Sequence, residues 1–334
     1  MQKKIVLSPA LVPVKNKWEE QPKASFLKKL ESDLKKVAEV RLCRPSNPED
    51  WANMVKGVNV IAGSSKVDTN LLKKCNNLEL IQCFGIGYDY IDIPLCTSKG
   101  VIVCNVAEIY SEPVAQHAWA LILDLSKKVT KADRFIRAGT WQKEDWMGLQ
   151  LWGKTLGIIG LGGIGSRVAL KGRLAFNMKI LAFDPYLLAE KAQLFGAELV
   201  SLEEVLRRSD IIVVSVPLTS ETRYMIGKKE FSIMKKSAFI INICRGSVIE
   251  SNALIESLQK NQISGAGLDV TDPEPLPPSS PLLKMDNVVL TPHLASSTTE
   301  AVEKTYRGAI NNIILYLKGE RPYWMINPEI YKKS

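Results

Sequence analysis

Three side chains able to bind an anion or move a proton each follow an apolar strand candidate in the second half of the chain. Arg245 comes directly after "FIINIC", Glu274 follows "AGLDV", and His293 follows "NVVLTP". A guanidinium can bind a carboxylate and a carbonyl together, and an imidazolium can donate a proton to a carbonyl oxygen. A carboxylate on the other ring nitrogen would orient the imidazole and favour its protonated form. Because open α/β sheets bind ligands beyond their strand ends, we expect these side chains to converge.

A glycine-rich segment, "TLGIIGLGGIG" at 155–165, has the spacing G-x-G-x-x-G at Gly160, Gly162 and Gly165. These glycines would permit a tight turn, close approach of a pyrophosphate, and close packing of helix on strand, respectively. An apolar strand precedes the loop, a helical stretch follows it, and the next strand candidate ends in Asp184. This context predicts a dinucleotide on the helix N-terminus. Asp184 would accept hydrogen bonds from the adenosine ribose and favour NAD(H) over NADP(H).

The elements that must position these residues alternate between apolar strands and helical patterns, which predicts parallel sheets. Strand candidates in the front part are "KKIVLSP", "VNVIAGS", "LELIQCFG" and "GVIVCN", and six more follow Lys154. Residues 24–38 have helical spacing, with an apolar stripe on Phe26, Leu27, Leu30, Leu34 and Val37. A long helix is expected from Ser111 to Gly139, with Pro113 in its first turn. A last helix is expected near 298–318.

The late position of the glycine loop predicts the domain organisation. Roughly 150 residues precede it, enough for another domain. We expect residues 109–297 to form an inserted, doubly wound NAD-binding domain. Residues 1–108 and 298–334 would then pair up as the substrate domain, and the cleft would close on cofactor and substrate.

Several motifs, taken in order, resemble the D-isomer-specific 2-hydroxyacid dehydrogenases, which include glyoxylate/hydroxypyruvate reductases, D-lactate dehydrogenases and phosphoglycerate dehydrogenases. The motifs are "CFGIGYDYIDI", "VAQHAWALIL", "GLGGIG", "SVPLTSET", "NICRG", "LDVTDPEP" and "TPHLASS", and they span nearly the whole chain. Gln116 stands where the family usually has Glu, and Ser215 stands where it usually has His. The resemblance implies an α/β fold with two Rossmann-like domains, the substrate domain being flavodoxin-like.

The resemblance also implies roles for residues. Arg245, Glu274 and His293 would be catalytic, and Ile86 and Gly87 would bind the substrate carboxylate through backbone N–H groups, beside Arg245 and His293. With the glycine loop, the expected cofactor contacts are Gly160, Gly162, Gly163, Ile164, Gly165, Asp184, Val216, Pro217, Thr222, Ile243, Cys244, Arg245, Asp269 and His293. Asp269 would contact the nicotinamide side. The implied reaction is hydride transfer between NAD and a small anionic 2-keto or 2-hydroxy acid, such as glyoxylate, hydroxypyruvate, pyruvate or 3-phosphoglycerate.

Two other interpretations share the motifs. A dinucleotide-sensing corepressor of the C-terminal-binding-protein type keeps the same three residues but carries a disordered C-terminal tail. The short tail after the last helix candidate favours the enzyme. A dehydrogenase of another anion, such as phosphite or formate, is the third interpretation. The chain also ends too early for the regulatory domain of many phosphoglycerate dehydrogenases.

Composition narrows the classes of partner. The net charge is +9, but the lysines are scattered in pairs, which indicates a solvated basic surface rather than a nucleic-acid site. Six cysteines without a CxxC pair and two histidines disfavour a zinc site. We expect no secretory leader, no membrane contact and a reduced, cytoplasmic location.

A few residues have competing explanations. His117 is interpreted as a packing or hinge residue, and Cys244 as packing near the cofactor rather than a nucleophile. The segment with Trp141, Trp146 and Trp152 is either core, which we favour, or an arm packing on a partner. A homodimer is expected, mainly from the resemblance.

Overall fold

The chain forms two compact units, and each is built around its own parallel sheet. The computed structural model describes residues 3–8, 32–42, 48–63, 67–141 and 146–331. The first unit comprises Met1–Tyr110 with Thr298–Ser334, and the second comprises Ser111–Ser297.

The strands are β1 (Lys4–Ser8), β2 (Glu39–Leu42), β3 (Val60–Gly63), β4 (Leu80–Cys83), β5 (Ile102–Cys104), β6 (Thr155–Ile159), β7 (Lys179–Phe183), β8 (Ala197–Leu199), β9 (Ile211–Val214), β10 (Phe239–Asn242), β11 (Gly265–Leu268) and β12 (Val288–Leu290). The α-helices lying wholly within the described residues are α1 (Pro48–Met54), α2 (Thr69–Lys74), α3 (Ile93–Ser98), α4 (Ser111–Lys127), α5 (Val129–Arg137), α6 (Gly163–Phe176), α7 (Ala189–Leu194), α8 (Leu202–Arg208), α9 (Lys228–Ile233), α10 (Ser251–Gln259) and α11 (Thr299–Leu317).

The first unit contains a five-stranded sheet in the order β2-β1-β3-β4-β5, with every pair parallel. This is the flavodoxin-like order. Its central strands are apolar runs because both faces of a parallel sheet are covered. The C-terminal segment belongs to this unit: α11 packs on β4, where Asn312 Nδ2 donates to Gln82 Oε1 at 3.0 Å. Asn327 Oδ1 likewise accepts the N–H of Val103 at 2.9 Å.

The second unit contains a seven-stranded parallel sheet in the order β12-β11-β10-β9-β6-β7-β8. The chain runs outward from β6 through β7 and β8, then returns to β9 on the other side of β6. The order therefore reverses between β6 and β9, and such switch points are where open α/β sheets bind ligands. The predicted fold of two parallel α/β domains is confirmed by these sheets.

The helix predicted from Ser111 to Gly139 is wrong in one respect, because it is two helices. Lys128 has φ of +58° and separates α4 from α5. The Asp124 carboxylate accepts the Thr130 N–H at 2.7 Å and the Thr130 hydroxyl at 2.5 Å. An acidic side chain thus satisfies a free N–H at the start of α5, which stabilises a second helix start.

Other expectations fail at the surface. Trp141 and Trp152 are 79% and 64% exposed, so the core interpretation is wrong for both. Trp146 is half-buried and packs edge-on against Phe135, with ring centroids 5.1 Å apart. The edge strands β2 and β8 were not predicted. Of the predicted helix over 24–38, residues up to 31 lie outside the described residues; Leu34 is buried, whereas Val37 is exposed.

Among the described residues of the first unit, four cysteines lie in its interior. Burial raises the pKa of Cys83 to about 11 and those of Cys96 and Cys104 to about 12, and it also raises the pKa of Cys75. These thiols are unpaired. Across the described segments, no cluster of three or more His, Cys, Asp or Glu side chains is placed to hold a metal, and no helix could cross a bilayer.

Candidate active site

The glycine loop lies between β6 and α6 and has the three steric features predicted for it. Gly160 has φ of +92°, and a Cβ there would lie 2.8 Å from Val216 Cγ1. Gly162 precedes α6, and a Cβ there would meet nothing within 4 Å among the described atoms. A Cβ on Gly165 would lie 2.0 Å from the Gly160 carbonyl oxygen. The loop therefore turns tightly, is open at Gly162, and packs closely at Gly165.

Asp184 fixes the far side of this loop. Its Oδ2 accepts the Leu161 N–H at 3.0 Å, and its Oδ1 accepts the Tyr186 N–H at 3.1 Å. A carboxylate has about four acceptor positions, so both oxygens keep capacity for ribose hydroxyls. The first turn of α6, with Gly163 and Ile164, has backbone N–H groups that lack partners within the helix and can bind an anion. The residues present thus fit an adenine dinucleotide, with pyrophosphate at the helix and ribose at Asp184.

The loop after β9 is tied to the glycine loop by the residue that departs from the family pattern. Ser215 Oγ donates to the Gly160 carbonyl at 2.7 Å. Further along, Thr222 Oγ1 donates to the Pro217 carbonyl at 2.6 Å and accepts the Thr219 N–H at 2.8 Å. These bonds close the loop on itself beside Val216 and Pro217. The second departure, Gln116, instead donates to Glu112 Oε1 at 2.9 Å on the exposed side of α4.

The loop after β10 is shaped by the buried amide of Asn242. Its Oδ1 accepts the Cys244 N–H at 3.1 Å, and its Nδ2 donates to the Arg245 carbonyl at 3.0 Å. The Arg245 guanidinium donates to the Cys244 carbonyl at 2.8 Å. Ile243 is buried beneath the loop. Burial raises the pKa of Cys244 to about 11, so its thiol stays protonated at neutral pH, which supports packing rather than nucleophilic chemistry.

Glu274 and His293 form a direct pair. His293 Nδ1 lies 2.7 Å from Glu274 Oε1, although nineteen positions separate the residues in sequence. Because an ionised carboxylate only accepts hydrogen bonds, Nδ1 carries a proton. The Nε2 atom is then the one that can donate or accept a proton during a reaction. The pair lies at the carboxyl edge of the sheet, beyond β11 and β12.

A buried network supports His293 from behind. Asp269 is 1% exposed, and its carboxylate accepts the Thr291 hydroxyl at 2.6 Å and the N–H groups of Leu294 and Ala295 at 2.9 and 3.0 Å. Burial alone would raise the pKa of Asp269, but the nearby His117 imidazole and the hydrogen bonds from Thr291 and the two amides lower it to about 2. The carbonyl of Asp269 accepts the backbone N–H of His293 at 2.7 Å.

His117 also belongs to this network, and its contacts with Thr291 and Asp269 were not predicted from the sequence. Its Nε2 lies 2.9 Å from Thr291 Oγ1 and 3.4 Å from Asp269 Oδ1. The Thr291 hydroxyl gives its hydrogen to Asp269, so Thr291 Oγ1 accepts a hydrogen bond from His117 Nε2–H. His117 therefore anchors α4 to the segment that carries His293. The predicted contact of Asp269 with the nicotinamide stays a prediction.

The predicted site residues divide between the two units. The glycine loop, Asp184, the loop after β9, Arg245, Asp269, Glu274 and His293 all belong to the second unit and follow strands of its sheet. Ile86 and Gly87 belong to the first unit, in the loop after β4. That loop is held by Asn105, whose Nδ2 donates to the Ile86 carbonyl at 2.9 Å.

Comparison with known proteins agrees with this geometry. Residues 119–295 match the family model described as D-isomer specific 2-hydroxyacid dehydrogenase, NAD binding domain. The glyoxylate reductase of Pyrococcus furiosus is 38% identical over 276 residues, covering 80% of this chain and 82% of that protein. Glyoxylate/hydroxypyruvate reductase B of an Enterobacter species is 37% identical, covering 93% of this chain and 99% of that protein. The D-lactate dehydrogenase of Aquifex aeolicus, solved with NAD and lactic acid, superposes with a TM-score of 0.81 at 30% identity, covering 95% and 96% of the two chains.

The chain belongs to the D-isomer specific 2-hydroxyacid dehydrogenase family. Within that family it is an NAD-dependent 2-keto acid reductase, an oxidoreductase acting on CH–OH donors. The predicted family, reaction class and cofactor are confirmed.

Proposed function

We propose that the chain reduces glyoxylate, hydroxypyruvate or a similarly small 2-keto acid with NADH, and that Arg245, Glu274 and His293 carry the reaction. The observation that carries this proposal is the 2.7 Å contact between His293 Nδ1 and Glu274 Oε1. The contact frees Nε2 for proton transfer at the sheet edge that also holds the glycine loop. The reductases named above support the choice of substrates.

Each residue has a distinct part in the reduction. Arg245 binds the substrate carboxylate and the adjacent carbonyl through its planar donors. Protonated His293 donates from Nε2 to the carbonyl oxygen, which becomes the hydroxyl of the product. Glu274 accepts from Nδ1 and stabilises the imidazolium. NADH, when bound, supplies the hydride that adds to the keto carbon. In the reverse direction, neutral His293 accepts the hydroxyl proton at Nε2.

The proposal also assigns residues that bind the substrate carboxylate and the cofactor. The backbone N–H groups of Ile86 and Gly87 bind the substrate carboxylate, and the first unit is the substrate domain. The second unit binds the cofactor through the contacts expected from the sequence. Asp184 gives a preference for NADH, because a 2′-phosphate beside its carboxylate would meet like charge.

The test of this function is a panel of small 2-keto acids assayed with NADH, using wild type and His293→Ala. Losing general acid catalysis should lower kcat by at least about 100-fold. The Kd of NADH, followed by fluorescence, should stay within about threefold, because the glycine loop and the other expected cofactor contacts remain intact when His293 alone is replaced. Near-normal turnover in the variant, or no activity of the wild type on any 2-keto acid, would contradict the proposal.

We also propose that the chain is a cytoplasmic homodimer that associates through α5 and the segment after it. Helix α5 buries none of its side chains, and Trp141, Met147 and Trp152 are 79%, 86% and 64% exposed. Apolar surface concentrated in one segment is typical of an interface. Unpaired thiols are typical of a reducing compartment.

The assembly is tested by light scattering at micromolar concentration. A dimer has twice the 37.1 kDa mass of the chain, and Trp141→Ser with Trp152→Ser should shift it toward monomer. A wild-type monomer would contradict the proposal. Fractionation of the source cells, with detection by antibody, tests the cytoplasmic location.

A further inference from the structure

The Asp272 side chain hydrogen-bonds residues of two other loops. Its Oδ2 accepts the Tyr224 hydroxyl at 3.0 Å and the Ser247 hydroxyl at 2.7 Å. Tyr224 lies in the loop after β9, two residues beyond Thr222. Ser247 lies two residues beyond Arg245. Asp272 itself lies two residues before Glu274, so one carboxylate oxygen joins the three loops that carry the predicted cofactor, arginine and acid positions.

Backbone contacts bring the same loops into direct apposition. Ser251 Oγ donates to the Asp272 carbonyl at 2.6 Å. The Tyr224 N–H donates to the Ser247 carbonyl at 2.8 Å. A Cβ on Gly246 would lie 2.0 Å from the carbonyl carbon and oxygen of Thr271. The chain next to Arg245 thus touches the chain leading to Glu274.

The segment that carries Asp272 borders a pocket rather than a filled interior. The pocket is lined by Asn242, Gly246, Thr271, Asp272 and Pro273, among others. Glu274 is exposed, so its position depends on the backbone that leads to it. Hydrogen bonds to an ionised carboxylate are stronger than those between neutral groups, so the Asp272 bonds are well suited to fix that backbone.

We propose that Asp272 is a positioning residue for the reduction, which holds Glu274 against His293. The inference rests on the catalytic roles proposed above for Glu274 and His293. A displacement of about 1 Å at a reacting group can lower a rate by about 100-fold, so the loss of this anchor should appear mainly in kcat. Binding of NADH at the glycine loop should be little affected.

The experiment compares Asp272→Ala with Asp272→Asn, each alone and with Glu274→Gln. Asp272→Ala should lower kcat by about 10- to 100-fold, with the KM of the keto acid and the Kd of NADH within about threefold. Asp272→Asn keeps an oxygen that can accept both hydroxyls, so it should restore most of kcat. In the Glu274→Gln background, Asp272→Ala should lower kcat by less than about threefold further, because Asp272 acts through Glu274.

Two further variants keep the test decisive if Asp272→Ala does not fold. Tyr224→Phe combined with Ser247→Ala removes both donors, leaves the carboxylate, and should lower kcat by about tenfold. Asp286→Ala is the matched control, since that carboxylate is exposed and lies 2.9 Å from Lys131 Nζ at the surface of the second unit. It should leave kcat unchanged.

The outcomes separate this inference from the function it rests on. If Glu274→Gln and His293→Ala keep full turnover, the proposed catalytic roles fail. If those variants lose turnover while Asp272→Ala or the donor pair keeps it, the positioning role is overturned. An equal loss from Asp272→Ala in both backgrounds would also overturn it, since the damage would then be independent of Glu274.

Discussion

Replacing Asp269 with Asn should destabilise the second unit strongly. The groups facing this carboxylate, the Thr291 hydroxyl and the N–H groups of Leu294 and Ala295, are all donors, and His117 Nε2 lies 3.4 Å from Oδ1. An asparagine offers one oxygen, and its NH2 group would have to face at least one of these donors. The substitution therefore removes a buried charge from its partners and leaves an amide opposed to another N–H.

The magnitude follows from two contributions. The pKa of Asp269 falls to about 2 in the folded protein, from about 3.9 in an unfolded chain. That difference corresponds to about 2–3 kcal/mol of stability. An unsatisfied buried donor adds about 1–3 kcal/mol. The sum of about 3–6 kcal/mol should lower Tm by about 6–24 °C for a domain of roughly 150–250 residues.

The pH dependence has a defined sign. Because the folded pKa is depressed, the charge contribution of Asp269 is fully present above about pH 4 and is lost as pH falls toward 2. The stability difference between wild type and Asp269→Asn should therefore be constant from about pH 8 to 5. It should shrink below about pH 4, where the wild-type carboxylate becomes protonated.

Calorimetry with and without NADH checks this prediction, because the transition that NADH raises reports the second unit. Asp286→Asn is the control: its side chain is 74% exposed, and a surface change should alter stability by less than about 0.5 kcal/mol. The reasoning is refuted if Asp269→Asn lowers Tm no more than this control does. A difference that shrinks already between pH 8 and 6 would show that another group carries the effect.

Three other outcomes are expected. Gly165→Ala should lower both stability and NADH affinity, because its Cβ would lie 2.0 Å from a backbone oxygen, whereas Gly162→Ala should fold normally and lose NADH affinity alone; equal Tm values for the two variants would contradict this. Asp184→Ser should shift the kcat/KM ratio toward NADPH from a wild-type NADH preference of about 10- to 100-fold, and an unchanged ratio would count against Asp184. Arg245→Ala should lower kcat and raise KM for the keto acid together, so a rise in KM with unchanged kcat would show that Arg245 binds the ground state and the transition state equally.

The features that could be predicted from the sequence are those where sterics or burial restrict which residue types can occupy a position. Gly160 and Gly165 occupy positions that a side chain would obstruct, so their spacing identifies the loop. The central strands are continuous apolar runs because both faces of the sheets are covered. The edge strand β8 was not predicted because it has only three residues and includes the exposed Glu198, so no apolar run marks it in the sequence.

The features that could not be predicted are hydrogen bonds between residues far apart in sequence and local backbone conformations such as that of Lys128. The apolar periodicity continues past Lys128, so nothing in the pattern marks its left-handed backbone or the cap from Asp124. The bond from His117 to Thr291 spans 174 positions, and the bond from Tyr224 to Asp272 spans 48. Such hydroxyl, imidazole and carboxylate pairs have no periodicity, so only the fold shows them.

Because each unit contains cysteines of its own, the reactivity of the thiols can report the unfolding of each unit. Cys75, Cys83, Cys96 and Cys104 are shielded inside the first unit, whereas Cys244 is the half-buried thiol of the second. An alkylating reagent attacks thiolates, which form readily only once a buried thiol reaches water and its pKa returns toward 8.5. Alkylation for a fixed time at increasing urea concentrations, followed by peptide mass spectrometry, would therefore show at which urea concentration each unit unfolds. No engineered label is needed.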